Sequence, residues 1–195
     1  MTAASIWLGL RGGLTLILGM FKGERFLRPR LWQLVRRGLF FLPDRSLLHR
    51  YLTCGHHLDA VSRAAGGEWT KDILRVLGLA DLLGRKPDEL SAGECRRVEV
   101  ALAVARQPDC LIADELFEGI MPRDRDFLDR ALRELASAGS AIVVTGHEVR
   151  SLLDLADEVF WLTAGTTHFL GDPNEACRHD QFRREYLGSA FGDRG

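Results

Sequence analysis

The hydrophobic pattern of the chain alternates between short apolar runs and longer amphipathic stretches. Apolar runs without a two-residue alternation are typical of strands buried on both faces of a parallel sheet. Such runs occur at residues 6–8, 36–44, 110–113, 141–144 and 158–163. Helical periodicity predicts helices over residues 15–22, 91–106, 127–136, 148–156 and 174–186, and a mostly helical region over 46–89. Strands that alternate with helices predict an α/β fold around a parallel sheet.

The stretch between residues 90 and 115 is the most informative part of the pattern. Ser91, followed three residues later by Glu94, forms a capping box, which predicts that a helix begins here. After that helix and a buried strand, two adjacent carboxylates follow, Asp114 and Glu115. In open α/β sheets the C-terminal ends of the strands face the ligand crevice. Two carboxylates there suit a Mg²⁺ ion and a water molecule that awaits a general base.

Composition and charge narrow the class of protein. The chain has 195 residues, of which 46% are hydrophobic and 27% charged, as expected for one globular domain, with room for a subdomain. The formal net charge of -1 gives no reason to expect nucleic acid as a partner. Four cysteines lie far apart, which favours buried free thiols and a reducing, cytoplasmic compartment over a disulfide framework. They are Cys54, Cys95, Cys110 and Cys177.

The run Cys54-Gly55-His56-His57 contains three residues of metal-ligating type. No second pair of ligands stands at the spacing of a zinc site. We therefore interpret this run as part of a helix surface, with a metal site as the alternative.

The apolar, glycine-rich residues 6–21 allow two interpretations. A membrane span would need about 20 apolar residues, and Arg11 interrupts this run. A secretory signal would need a positive charge before the apolar run, and none is present. The other interpretation is a strand over residues 6–8, a glycine loop over 9–13 and a helix over 15–22, with Gly23 as its C-cap.

Three motifs occur in a fixed order along the chain. The string Leu90-Ser91-Ala92-Gly93-Glu94 opens a helix, residues 110–115 form a strand that ends in two carboxylates, and His147 follows the next strand. In this order and spacing they resemble the signature motif, the Walker B strand and the switch histidine of the ATP-binding cassette (ABC) ATPases. The resemblance extends over residues 6–171 and is strongest from residue 40 onward.

The resemblance implies a P-loop NTPase-type fold, with a mainly parallel sheet flanked by helices and an inserted α-helical subdomain. Residues 1–44 and 108–195 would form the α/β core, and residues 45–107 the helical subdomain that carries the signature. The family's first antiparallel strands, with the aromatic residue that stacks on adenine, would precede Met1 and are expected to be missing.

The glycine loop falls where the family has its phosphate-binding Walker A loop. Gly9, Gly12 and Gly13 would belong to the loop whose backbone N–H groups wrap the phosphates. Registered on Gly13, the resemblance places Leu14 where the phosphate-binding lysine belongs and Thr15 where the Mg²⁺ hydroxyl ligand belongs. A leucine cannot donate a hydrogen bond to phosphate, so we expect a degenerate Walker A.

The other site residues also take their roles from the resemblance. Asp114 would hold Mg²⁺ through water, Glu115 would be the general base, and His147 would bind the γ-phosphate and sense its loss. Asp44 occupies the position of the Q-loop glutamine, which touches Mg²⁺ and the attacking water; the alternative is a turn residue after Pro43.

Two departures from the family follow the Walker B strand. Leu116 replaces the usual proline and Met121 the usual aspartate of the D-loop. The D-loop contacts the partner subunit across the dimer. The resemblance therefore does not decide whether the two nucleotide sites of the dimer communicate.

The function implied is that of an ABC transporter ATPase subunit. Two such chains, in a homodimer or a heterodimer, would hold Mg²⁺ and ATP between the P-loop of one and the signature of the other. They would drive transmembrane permease subunits from the cytoplasmic face of the membrane. A soluble ABC-type protein of DNA repair or translation is an alternative, but this chain lacks long coiled-coil insertions and paired cassettes.

Leu14 leaves three explanations open. The chain is the degenerate half of an asymmetric pair, or its start is misassigned at Met1, or it binds nucleotide weakly as a structural or regulatory subunit. We expect an ATPase with impaired intrinsic activity. The alternative is a catalytically inactive subunit that donates its signature motif to an intact partner.

Overall fold

The computed structural model describes residues 4–9, 20–25, 30–66, 71–163 and 166–187. The strands in these ranges are β1 (Ala4–Gly9), β2 (Met20–Phe21), β3 (Glu24–Arg25), β4 (Leu39–Leu42), β5 (Cys110–Ala113), β6 (Ala141–Thr145), β7 (Glu158–Thr163) and β8 (Thr166–Gly171). The α-helices are α1 (Leu31–Val35), α2 (Cys54–Ala64), α3 (Lys71–Leu77), α4 (Ala92–Arg106), α5 (Pro122–Ser137), α6 (Val149–Leu155), α7 (Pro173–Arg178) and α8 (Asp180–Phe182). Short 3₁₀ turns cover Ala80–Leu82 and Pro87–Glu89, and a π-helical turn covers Arg183–Leu187.

Within the described ranges, six strands form one sheet in the order β4-β5-β6-β1-β7-β8. All neighbouring pairs are parallel except β7 and β8, which form an antiparallel pair at one edge. The α/β fold with a mainly parallel sheet is therefore as expected from the apolar runs.

The register of three neighbouring strands aligns their C-terminal ends. Leu42 of β4 lies opposite Ala113 of β5, and Ala113 lies opposite Val144 of β6. These three side chains are buried in the main hydrophobic core. Because a one-residue slip would turn each buried side chain to the other face of its strand, the core fixes this register. The residues that follow the three strands therefore emerge at the same edge of the sheet.

The predicted helix over residues 15–22 is wrong at its C-terminal end. Met20–Phe21 pairs antiparallel with Glu24–Arg25, so this segment is a hairpin. Lys22 (φ 51°) and Gly23 (φ 78°) form its two-residue turn, with both residues in the left-handed region that such turns require. Phe21 is buried in a second hydrophobic cluster, and this tertiary packing outweighs the local helical pattern. Residues 15–19 lie outside the described ranges.

The helical region over residues 46–89 begins later than its sequence pattern predicts. Helix α2 begins after Thr53, whose side chain accepts a hydrogen bond from the His56 amide as an N-cap. The predicted break is confirmed at Gly66, which has φ 80° after the end of α2. Ser46 and Leu47 are instead hydrogen-bonded to Glu99 of α4, and the His49 amide donates to His57 of α2.

The other elements differ from the sequence predictions mainly at their ends. The strands β5 and β7 and the helix α4 have the predicted bounds within one residue. Helix α5 begins five residues earlier than predicted, because Pro122 is well suited to the first turn of a helix. The predicted C-terminal helix is divided into α7, α8 and the π-helical turn.

Two further expectations concern the cysteines and the membrane. All four cysteines are free thiols, as predicted, but only Cys54 and Cys110 are buried, whereas Cys95 and Cys177 are half-buried. Burial raises the pKa of the Cys95 and Cys110 thiols to about 11. Of the helices in the described ranges, none is both long enough and apolar enough to cross a membrane.

Candidate functional site

The candidate site lies where β5 and β6 end. Asp114 and Glu115 follow β5, and Thr145 is the last residue of β6. The buried Thr145 hydroxyl donates a hydrogen bond to Asp114 Oδ1 and accepts one from the Glu115 amide at 3.2 Å. One hydroxyl group therefore fixes both the Asp114 carboxylate and the main chain of Glu115. Sequence analysis missed Thr145, because the contact joins two strands and has no local signal.

The carboxylate of Glu115 is paired with a histidine. Glu115 Oε2 lies 3.0 Å from Nδ1 of His147, which follows β6 in the chain. The His147 side chain is 59% exposed and the Glu115 side chain is 22% exposed. The histidine of the pair therefore faces solvent, while the carboxylate of Glu115 is mostly covered. A carboxylate that can accept a proton, oriented by a ring nitrogen, is the arrangement expected of a general base and its positioning partner.

The main chain at Glu115 is strained. Its φ of 48° lies in the left-handed region, which non-glycine residues rarely adopt. Such a conformation costs about 1 to 3 kcal/mol and persists where its surroundings fix it. Here the hydrogen bond from the Glu115 amide to the Thr145 hydroxyl fixes it. Lys22 in a hairpin turn and Gln107 at the end of α4 have a similar positive φ, so the strain at Glu115 does not by itself mark a functional site.

The predicted capping box at the start of α4 is confirmed. The Ser91 hydroxyl accepts a hydrogen bond from the Glu94 amide at 3.2 Å, and Glu94 Oε2 accepts one from the Ser91 amide at 2.8 Å. The bond from the Ser91 amide lowers the pKa of the Glu94 carboxyl below its usual value. Ser91 and Ala92 are exposed at the N-terminus of this 15-residue helix, where amide groups favour an anion.

The helix start is fastened to α5 by contacts that sequence analysis missed. Gly93 is buried, and a Cβ at this position would overlap with the carboxylate of Asp124. Asp124 Oδ1 lies 3.0 Å from Nε of Arg97. Arg97 also donates from Nη1 to the carbonyl oxygens of Leu77 (3.0 Å) and Gly78 (3.1 Å) at the end of α3. The glycine of the signature is thus required by the close approach of α5.

Asp44 follows β4 at the same edge of the sheet. Its side chain is exposed, and its Oδ1 accepts a hydrogen bond from the Arg45 amide at 2.8 Å, as in a turn. In the part of the chain that the structure describes, hydrogen bonds join Asp114, Glu115, Thr145 and His147 to one another. Asp44 and the start of α4 lie outside this cluster.

Of the residues predicted for the glycine loop, only Gly9 lies within the described ranges. Gly9 is the last residue of β1 and lies opposite Leu162 of β7. Gly12, Gly13, Leu14 and Thr15 lie outside the described ranges, so their roles stay predictions.

The two residues that depart from the family after Glu115 have different surroundings. Leu116 is fully buried in the core. Met121 is 69% exposed and immediately precedes α5. A buried leucine next to the strained Glu115 can help to hold its main chain, whereas the exposed methionine is open to contact by another chain.

The interpretation of residues 54–57 as a helix surface holds for the exposed His56 and is wrong for two other residues of the run. Cys54 and His57 are buried, because the first turn of α2 packs into the core. His57 accepts a hydrogen bond at Nε2 from the His49 amide (2.7 Å), and its Nδ1 lies 2.8 Å from the Thr53 carbonyl oxygen. Both ring nitrogens therefore have structural partners. The described part of the chain contains no group of three or more His, Cys, Asp or Glu residues arranged to hold a metal ion.

Comparison with known proteins gives matches over most of the chain. A family model described as ABC transporter matches residues 19–118. The lipopolysaccharide export system ATP-binding protein LptB of Acidithiobacillus ferridurans is 31% identical over 182 residues, which cover 87% of this chain and 76% of that protein. LptB of Haemophilus influenzae is 28% identical over 163 residues, which cover 80% of this chain and 68% of that protein.

A solved structure gives the same fold. An ATP-binding cassette of an ABC transporter, in its ADP conformation, aligns with a TM-score of 0.77. The alignment covers 96% of this chain and 88% of that chain at 19% sequence identity. The P-loop NTPase-type fold is therefore confirmed.

We expect Gly93→Ala to destabilise the protein by about 1 to 3 kcal/mol, because the new methyl group overlaps with the Asp124 carboxylate. Gly84→Ala is the matched control, since a Cβ there meets no atom within 4 Å. Urea unfolding of both variants measures the difference. Equal stability of the two variants would contradict the close approach of α5 to the signature.

We expect Glu94→Gln to reduce the loss of stability on acidification. The folded-state pKa of Glu94 is lowered, so its charged form stabilises the fold at neutral pH, and this contribution is lost as the pH falls below 4.5. A glutamine keeps an acceptor for the Ser91 amide but does not titrate. The measurement is the urea midpoint at neutral pH and at about pH 4, with Glu118→Gln, an exposed carboxylate, as the control. An acid response of Glu94→Gln like that of the wild type would count against this assignment.

Proposed function

The chain belongs to the ABC transporter family as an ATP-binding subunit, and we propose that it couples ATP binding and hydrolysis to transport by separate membrane subunits. The observation that carries this proposal is the contact between Glu115 and His147 beside Asp114. In this arrangement Glu115 takes a proton from the attacking water, and His147 orients the carboxylate and contacts the γ-phosphate.

The residues at the end of β5 fit the magnesium ion that ABC ATPases use with nucleotide. Carboxylate and hydroxyl oxygens are the ligands that Mg²⁺ prefers, and it is commonly held by one or two carboxylates together with substrate phosphates. Asp114 has one oxygen bound by Thr145 and would hold the ion, mostly through water, together with Thr15. Asp44, at the same edge of the sheet, would approach the ion in the role of the Q-loop residue. The ion supplies neutralisation of the charge on the transferred phosphoryl group.

The start of α4 supplies the second half of the composite site. Two chains would face each other head to tail, so that the exposed Ser91 and Ala92 approach the γ-phosphate bound by the partner. The positive end of the helix dipole and its first-turn amides stabilise that phosphate. The pair is a homodimer or a heterodimer with a second ABC ATPase, with no role for nucleic acid.

The intrinsic rate of hydrolysis is expected to be low. Leu14 takes the place of the lysine that would bind the β- and γ-phosphates, and Gly9, Gly12 and Gly13 leave only backbone groups for this task. Charge stabilisation of the transferred phosphoryl group is most of what such a site contributes. The loss of one cation should therefore affect both binding and rate.

The proposed role also gives the subunit a position at the membrane and divides the chain into a core and a helical subdomain. The subunit would lie on the cytoplasmic face of the membrane, bound to permease subunits through the helical subdomain of residues 45–107. Residues 1–44 and 108–195 would form the core that holds nucleotide. The names of the two LptB relatives point to lipopolysaccharide export, so we propose an amphiphilic lipid of this kind as the transported substrate.

The second candidate function is that of an inactive subunit that donates its signature motif to an intact partner. Two observations favour it: Leu14 in the loop, and a signature helix whose capping box is complete. The Glu115–His147 pair favours the catalytic role, because a pure donor has no use for a general base. The two candidate functions differ in whether the nucleotide site of this chain hydrolyses ATP.

We expect Glu115→Gln to lower the rate of Mg²⁺-ATP hydrolysis by about 100-fold or more, because the amide cannot accept a proton. Glu118→Gln changes an exposed carboxylate of the same loop and serves as the control. Leu14→Lys alone should raise the rate of ATP hydrolysis, whereas Leu14→Lys combined with Glu115→Gln should remain inactive. No hydrolysis by the wild type, by Leu14→Lys or by Glu118→Gln would favour the signature donor over the ATPase.

A further inference from the structure

We propose that Arg96 and Glu99 are positioning residues, which fasten the segment of residues 43–47, and with it Asp44, to the signature helix α4. Their effect on hydrolysis rests on the proposed function, but their effect on the segment does not. The two side chains form an ion pair, with Arg96 Nη1 at 3.1 Å from Glu99 Oε2.

This pair is almost completely buried. The side chain of Arg96 is 9% exposed and that of Glu99 is 3% exposed. A buried ion pair contributes little to stability unless its remaining hydrogen-bonding groups are also satisfied, and apolar residues of similar size often serve as well. The role of the pair is therefore indicated by the partners of the other Arg96 N–H groups and of the second Glu99 oxygen.

Arg96 holds the chain on the N-terminal side of the segment. Its Nη1 donates to the carbonyl oxygen of Pro43 at 3.0 Å, and its Nη2 donates to the carbonyl oxygen of Asp44 at 3.3 Å. The planar guanidinium group presents several donors in a fixed geometry. It thereby fixes the main chain of Asp44 while the Asp44 carboxylate stays exposed.

Glu99 holds the chain on the C-terminal side. Its Oε1 accepts hydrogen bonds from the Ser46 hydroxyl at 2.7 Å and from the Leu47 amide at 2.8 Å, while Oε2 faces Arg96. One carboxylate oxygen thus serves the segment and the other serves the arginine. Asp44 is held between two anchors that both belong to α4.

The consequence is a rigid connection between two parts of the proposed site. Arg96 lies five residues after Ser91 on the same helix, so a movement of α4 carries Asp44 with it. In the proposed dimer Asp44 serves the chain's own nucleotide and Ser91 serves the partner's. Arg96 and Glu99 therefore set the position of one with respect to the other.

Two double variants separate the two anchors without leaving a charge buried alone. In Arg96→Met/Glu99→Gln, the glutamine Oε1 can still accept from Ser46 and Leu47, but the carbonyl anchors of Arg96 are lost. In Arg96→Met/Glu99→Leu, both anchors are lost. The first variant should keep the Leu47 amide exchanging as slowly as in the wild type. The second should make it exchange about tenfold faster, as expected for one lost hydrogen bond.

Amide hydrogen exchange of the nucleotide-free full chain measures this effect. The matched control is Asp72→Asn/Arg75→Gln, which removes an exposed ion pair of the same i,i+3 spacing on α3. Exchange in β5 and α5 should remain unchanged in all three variants. The proposal is overturned if the Leu47 amide is as protected in Arg96→Met/Glu99→Leu as in the wild type. It is equally overturned if exchange rises by the same factor in β5 and α5.

Hydrolysis kinetics then separate positioning from stability. Both Arg96→Met variants should lower kcat for Mg²⁺-ATP, because both release the main chain of Asp44, while KM changes by less than about twofold. The control should keep both constants. If the wild type hydrolyses ATP and the two Arg96→Met variants have the same kcat as the wild type, the positioning role is overturned. A wild type without hydrolysis would count against the proposed function alone, and hydrogen exchange would still test the two anchors.

Discussion

The aligned ends of β4, β5 and β6 are the constraint on which the candidate site depends. Leu42, Ala113 and Val144 are buried side by side, and the residues after them have to emerge at one edge of the sheet. The Thr145 hydroxyl then fixes Asp114 and the amide of Glu115 together. A shift of one strand by one residue would expose core side chains and separate these groups at the same time.

A second constraint comes from the two adjacent arginines of α4. Arg96 points to the segment after β4, whereas Arg97 points to the end of α3 and to Asp124 at the start of α5. Both are buried, and a buried charge is costly unless it is paired; Arg96 is paired with Glu99 and Arg97 with Asp124. The signature helix is therefore connected to three neighbouring parts of the chain by polar contacts, in addition to the apolar side chains of its core face.

Sequence reasoning succeeded where the signal is local. The capping box of Ser91 and Glu94 located the start of α4, and the apolar run before Asp114 located β5 and the edge of the sheet. It failed where the cause is distant in sequence. Phe21 joins a hairpin because it packs against residues such as Cys110, and His57 is buried because α2 packs into the core. The partners of Thr145 lie 30 residues away and more, so no spacing rule points to them.

The central claim is that this ABC ATP-binding subunit holds Mg²⁺-ATP in a composite site with a second subunit, despite Leu14. The most direct test is to titrate the Glu115→Gln chain with Mg²⁺-ATP, and to measure the bound nucleotide and the mass of the complex by light scattering. The account predicts that nucleotide binds and that the chains associate into pairs, because hydrolysis no longer separates them. A chain that neither binds nucleotide nor associates at any ATP concentration would contradict it.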